Sequence, residues 1–175
     1  DVLIQRGQYD AALGFCKKLE NFVIKEKKFT NGWLVIVYPL TARGYLEKFH
    51  TEQHSLDTKQ KSELWRQCKS YTKKTLKIAK KFSVYKPWAF LAQANLLWNS
   101  GNKEKATRVF QKSIQEAENM NANLWLAQAY FEAGRSMIED PKYNEMGKTY
   151  LQQAHSLFET MGIEKWVQRV EQNLG

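Results

Sequence analysis

Little in this chain interrupts a helix. Three prolines and nine glycines are spread over 175 residues, which favours long periodic segments over a turn-dense β architecture. No apolar run is long enough to span a bilayer. The richest one, residues 33–40, is eight residues long and contains Pro39. Cysteine is scarce too. Cys16 and Cys68 lie far apart, each inside a helical pattern, so they read as free buried thiols in a reducing, cytoplasmic compartment rather than as a disulfide.

Motifs of catalysis are equally sparse. The chain has no GxxxxGK[ST] phosphate loop. Neither cysteine has a local histidine to act as its base, and carboxylate pairs occur only at ordinary helix-surface spacings. His50 and His54 are four apart, with Glu47 and Glu52 near, but lack the HExxH order and a third ligand. They read as polar loop residues. The expectation is a non-enzymatic chain with no cofactor, no metal and no small-molecule substrate.

What is present is a repeated helical hairpin. In residues 88–120, Trp88, Leu91, Ala92, Leu96 and Trp98 give one apolar stripe, Gly101-Asn102 a break, and Ala106, Val109, Phe110, Ile114 and Ala117 a second stripe. A helix that ends on glycine, then a helix with Ala followed by Phe four residues on, resembles a tetratricopeptide repeat. One such hairpin cannot bury both faces and needs neighbours.

The neighbours are legible. Gly7-Gln8, Ala12 and Cys16 repeat the offsets of Gly101-Asn102, Ala106 and Phe110, and LAQA at 91–94 recurs at 126–129. Thr72 and Leu151 take the place of Phe110 in the remaining hairpins. The expected division is hairpins at 1–28, 30–83, 86–120 and 121–162, with a capping helix at 163–174 whose Glu164, Lys165, Arg169 and Glu171 face away from the stack. The fold expected is all-α: a right-handed solenoid of antiparallel helix pairs in one domain. Within it, 30–49 reads as a helix kinked near Pro39, with a strand at 33–38 as the competing reading. Residues 50–60 read as a polar loop or frayed helix end, and Asp140-Pro141 as the start of a helix whose inward face includes Met146. Five of the six tryptophans fall on inward stripes, Trp98 being the exception. The chain opens in mid-pattern without an initiator Met, so it reads as a piece of a longer protein. An apolar patch at Leu3, Ile4, Leu13 and Cys16 is expected to be left uncovered and to self-associate.

Charge is concentrated in one place. Ten basic residues face Glu63 alone in residues 59–86, which accounts for the whole formal charge of +9. Arg66, Lys69, Lys73, Lys77 and Lys80 step by three or four and share one helical face, flanked by Lys74 and Lys81. This face reads as a solvated outer surface, as a site for an acidic protein or peptide partner or another domain of the parent, or as a binder of nucleic acid or an anionic membrane. No aromatic stacking platform accompanies the lysines, which weighs against nucleic acid. Trp98 and Tyr130 are further candidates, as the lining of a groove.

The last 90 or so residues carry a second likeness. LAQAYFEAGRSM, Asp140-Pro141, Ala154, Leu157-Phe158-Glu159, Met161-Gly162 and Trp166 resemble the C-terminal helical repeats of multidomain signalling proteins such as the soluble adenylyl cyclases, in which a catalytic head precedes a P-loop ATPase module. The resemblance implies a non-catalytic interaction or regulatory tail.

Overall fold

The computed structural model describes residues 2–25, 36–52 and 54–175. Among them every regular element is helical: α1 (Val2–Gln5), α2 (Tyr9–Lys25), α3 (Val37–Glu52), α4 (Thr58–Ala79), a 3-10 turn at Ser83–Tyr85, α5 (Lys86–Asn99), α6 (Lys103–Asn119), α7 (Asn123–Met137), α8 (Asn144–Thr160) and α9 (Glu164–Leu174). The chain forms two compact units, residues 1–92 and 93–175, and the division falls inside α5.

Four of the turns are built alike. Each helix ends on one residue of positive φ: Gly7 (72°), Gly101 (81°), Asn121 (51°) and Gly162 (67°). Glycine reaches this conformation without a Cβ clash, and asparagine tolerates it. In each, the next residue's N–H bonds back five positions: Gln8 to the Leu3 carbonyl (2.9 Å), Asn102 to Leu97 (2.9 Å), Ala122 to Ala117 (3.0 Å) and Ile163 to Phe158 (3.0 Å). This closes the exposed carbonyls of the helix end. The same residue then serves as N-cap of the following helix, accepting from Ala12, Ala106, Leu126 and Val167. One residue thus ends one helix and begins the next.

In the first unit, α2, α3 and α4 pack in sequence. Tyr45 stacks on Tyr71 at 5.5 Å and Phe49 meets Trp65 at 4.9 Å, so α3 and α4 run in opposite senses. Between α2 and α3, Asp10 meets Lys48 and Leu13 lies against Gly44, again antiparallel. In the second unit, α7 and α8 approach closely at Gly134 and Gly147. A Cβ on Gly147 would stand 2.8 Å from the Ile138 nitrogen. Trp166 of α9 stacks on Phe158 (5.0 Å) and meets Phe131 edge-on (5.3 Å), and with Val170 it closes this core. Burying each such side chain stabilises the unit by about 1.5–3 kcal/mol. The equivalent positions Cys16, Thr72, Phe110 and Leu151 are all buried, as are Ala12, Cys68, Ala106 and Gly147 four residues before them.

Several expectations need correction. The 30–49 helix lies partly outside the described residues. Its described part starts at Val37, so Pro39 sits in the first turn of α3, where the backbone N–H it lacks would have no acceptor within that helix. Val37 and Tyr38 are helical, not strand. The 50–60 loop is shorter: α3 runs to Glu52, and α4 begins at Thr58 behind a capping box in which Asp57 accepts from the Gln60 N–H (2.8 Å) and Gln60 accepts from the Asp57 N–H (3.0 Å). His50 and His54 therefore do not share a helix. Asp140-Pro141 precedes α8 rather than opening it. Asp140 turns its carboxylate onto the Lys142 N–H (2.9 Å), and the helix starts at Asn144. Met146 is exposed. Arg169 lies over the Trp166 and Phe131 rings at 5.0 and 5.4 Å instead of facing away. Of the described tryptophans only Trp166 is fully buried, and the others are half-buried. Ile4 and Cys16 are buried and Leu3 and Leu13 partly so, so the expected N-terminal patch does not exist. Among the described residues of α2, the large apolar side chains that stand exposed are Phe15, Phe22 and Ile24.

Candidate interaction surface

The site grows from the period of α4. Leu64, Cys68, Tyr71, Thr72, Thr75 and Ala79 are buried, and this stripe orients the helix. The opposite side carries Arg66, Lys69, Lys73, Lys77 and Lys80, all exposed. From Lys69 to Lys80 the row extends about 16 Å along the axis at the rise of an α-helix. Lys81 follows, exposed.

Two of the predicted members differ from the rest. Arg66 is tied to Glu63 by two hydrogen bonds, of 2.8 and 2.7 Å. Those bonds, with one from Gln67, hold the Glu63 carboxyl down to about 2. The only acid of the stretch is therefore spent on Arg66 and leaves the row downstream unneutralised. Lys74 is not on the row. Its ammonium reaches inward to Glu20 of α2 at 2.6 Å and lies 4.4 Å from the Tyr71 ring centroid and 5.5 Å from that of Tyr38. Glu20 is buried and also accepts the Tyr71 hydroxyl at 2.5 Å. Burial first, then this bond, pushes the Tyr71 phenol well above its ordinary value. The cation compensates a carboxylate that would otherwise be costly to bury.

Sequence reasoning missed this cluster, although a signal was there. Glu20 follows Ala12 and Cys16 at four-residue steps on the inward stripe of α2, and an acid in such a place requires a donor. Lys74 follows Tyr71 by three and sits 100° round the helix from Lys73.

Trp98 and Tyr130 both belong to the second unit, in separate clusters. Trp98 meets Tyr143 edge-on at 5.4 Å and Phe110 at 6.4 Å. Tyr130 packs on Tyr150 at 5.6 Å and donates to Glu118 at 3.1 Å. Burial, then the Glu118 bond, raises its phenol to about 12. A cleft of about 500 Å³ in the second unit is lined by Lys103, Lys105, Arg108, Asp140, Lys142 and Tyr143. Lys103 pairs with Asp140 and Lys142 with Glu104, so much of its charge is internally balanced.

Among the described residues, no group of three or more His, Cys, Asp or Glu side chains is placed to hold a metal, and no helix is long and apolar enough to cross a membrane. Cys68 is fully buried, and burial pushes its thiol up to about 12, which removes thiolate chemistry at neutral pH. No protein family, curated protein or solved structure matches this chain. Its class rests on the structure alone: among the described residues the regular elements are all helical, and within each unit sequentially adjacent helices pack in pairs.

Proposed function

We propose that this chain is a non-catalytic protein-interaction module, a right-handed repeat segment of a larger signalling protein, and that the outer face of α4 docks an acidic surface of a partner or of the parent protein. The observation that supports this most is the row Lys69, Lys73, Lys77 and Lys80. It is exposed, in register on one helix, and no carboxylate among the described residues forms an ion pair with it. Like charges at three- and four-residue spacing oppose helix formation by a few tenths of a kcal/mol per pair (about 0.2–0.5), a cost that an acidic partner offsets. Complementary charge also speeds encounter and rejects wrong partners.

Nucleic acid is a weaker fit. Trp65, beside the row, is already engaged with Phe49 and lies 5.6 Å from the Lys69 ammonium, so it is not a free platform for base stacking. The test is a salt titration of the chain and of its Lys69/Lys73/Lys77/Lys80→Gln variant against three probes: an acidic protein recovered by crosslinking to the parent, duplex DNA, and phosphatidylserine vesicles. The expected result is selective binding of the protein, weakened at least tenfold in the variant at low salt. Equal or tighter binding of DNA or vesicles overturns the reading.

A further inference from the structure

A second surface lies on α2, independent of the lysine row. Phe15 is 65% exposed and Phe22 49%, high values for phenylalanine on a packed helix. They are seven residues apart, about 10.5 Å along the axis. Ala11, Phe15, Lys18, Phe22 and Lys25 follow one another at steps of four and three and are all exposed. That spacing is the seam by which one helix receives another. The strip is also open to close approach: Ala11 is small, and nothing lies within 4 Å of where a Cβ on Gly14 would stand.

The charge of the strip selects the occupant. Both described carboxylates of α2 are used elsewhere, Asp10 on Lys48 and Glu20 on Tyr71 and Lys74. Lys18 and Lys25 alternate with the phenylalanines along the strip, and neither carboxylate of α2 pairs with them. A second copy of the chain laid on this strip would set lysine against lysine, which disfavours self-pairing. We infer that the outer strip of α2 docks an amphipathic helix of another protein, apolar where it meets Phe15 and Phe22 and acidic at the flanking positions that the long side chains of Lys18 and Lys25 reach from within the strip.

The probe is a monomeric, lactam-stapled three-heptad peptide with Leu at a and d and Glu at e and g. Its counterpart carries Lys at e and g, and a scrambled peptide keeps the Glu content. Affinity is read by fluorescence anisotropy on the whole chain, with circular dichroism to check the fold of each variant. The Glu peptide is expected to bind at least tenfold more tightly than the Lys and scrambled peptides. Phe15→Ser/Phe22→Ser should lose at least tenfold, and Lys18→Glu/Lys25→Glu should reverse the preference between the Glu and Lys peptides. The Lys69/Lys73/Lys77/Lys80→Gln variant should bind as the parent does, which separates this surface from the α4 face. Equal binding of the Glu and scrambled peptides overturns the inference. So does indifference to the phenylalanine change, or a dimer in analytical ultracentrifugation that Phe15→Ser/Phe22→Ser abolishes.

Discussion

Lys74 and Glu20 meet at 2.6 Å across α4 and α2, and the Tyr71 hydroxyl completes the carboxylate's shell at 2.5 Å. The two donors are not equivalent. Tyr71 is buried, whereas the Lys74 side chain is 43% exposed, so solvent screens its pairing. Tyr71→Phe should therefore cost about 1.5–3 kcal/mol, as loss of a bond to a charged acceptor. Lys74→Met, which keeps the stem over the rings, should cost about 1 kcal/mol or less. Urea unfolding of both variants checks the order. A larger loss from Lys74→Met would make the ion pair, not the phenol, the chief support of Glu20.

Two glycines inside helices should respond oppositely to alanine. Gly14 is exposed with open space at its Cβ position, so Gly14→Ala should stabilise by about 0.5–1 kcal/mol through helix propensity. At Gly147 the new Cβ would stand 2.8 and 3.0 Å from backbone atoms of Ile138 and Met137. Backbone cannot step aside cheaply, and Gly147→Ala should destabilise by about 1–3 kcal/mol as an overpacked contact. Thermal unfolding followed by circular dichroism measures both.

Replacing Lys69, Lys73, Lys77 and Lys80 together by Gln should leave the fold intact. Gln has similar helix propensity, and relief of like-charge repulsion should stabilise by roughly 0.5–1 kcal/mol at low salt. The gain should vanish in high salt. A melting temperature well below the parent's would show that the lysines hold contacts in the fold.

Alkali should unfold the chain. Cys68 and Tyr130 each have a folded-state value raised to about 12, from 9.0 and 10.0 respectively. Their contribution is fully present below the unfolded values. It is lost as pH rises through the folded ones, because the unfolded chain releases its protons first. Denaturant midpoints should fall from about pH 9 upward, and Cys68→Ala should blunt the start of that fall. A thiol reagent at pH 8 should label Cys68 only on unfolding.

How much was legible depended on range. The positive-φ turns at Gly7, Gly101 and Gly162 and the burial of Ala12, Ala106, Phe110 and Leu151 follow from local chemistry and helical period, and the sequence carried them openly. The Asp57–Gln60 capping box was equally local and was passed over because polar residues 50–60 resembled a loop. Asn121 has the side chain of an opening cap for α7, yet its φ of 51° makes it the closing residue of α6.

Other features needed partners distant in the chain. Periodicity placed Lys69, Lys73, Lys77 and Lys80 on one face, and the structure leaves them there. It could not say that Lys74, one residue off that face, would be drawn to a carboxylate 54 positions earlier. The Phe15 and Phe22 strip was hidden for a related reason. A hydrophobic side chain reads as core in sequence, and only the packing of α2 on α3 shows which side of the helix is used up. The sequence by itself determined helix, turn and charged face, because these depend on residues within a few positions of one another. The tertiary structure decided which polar groups are paired and which apolar faces remain open, because burial depends on what the rest of the chain brings alongside.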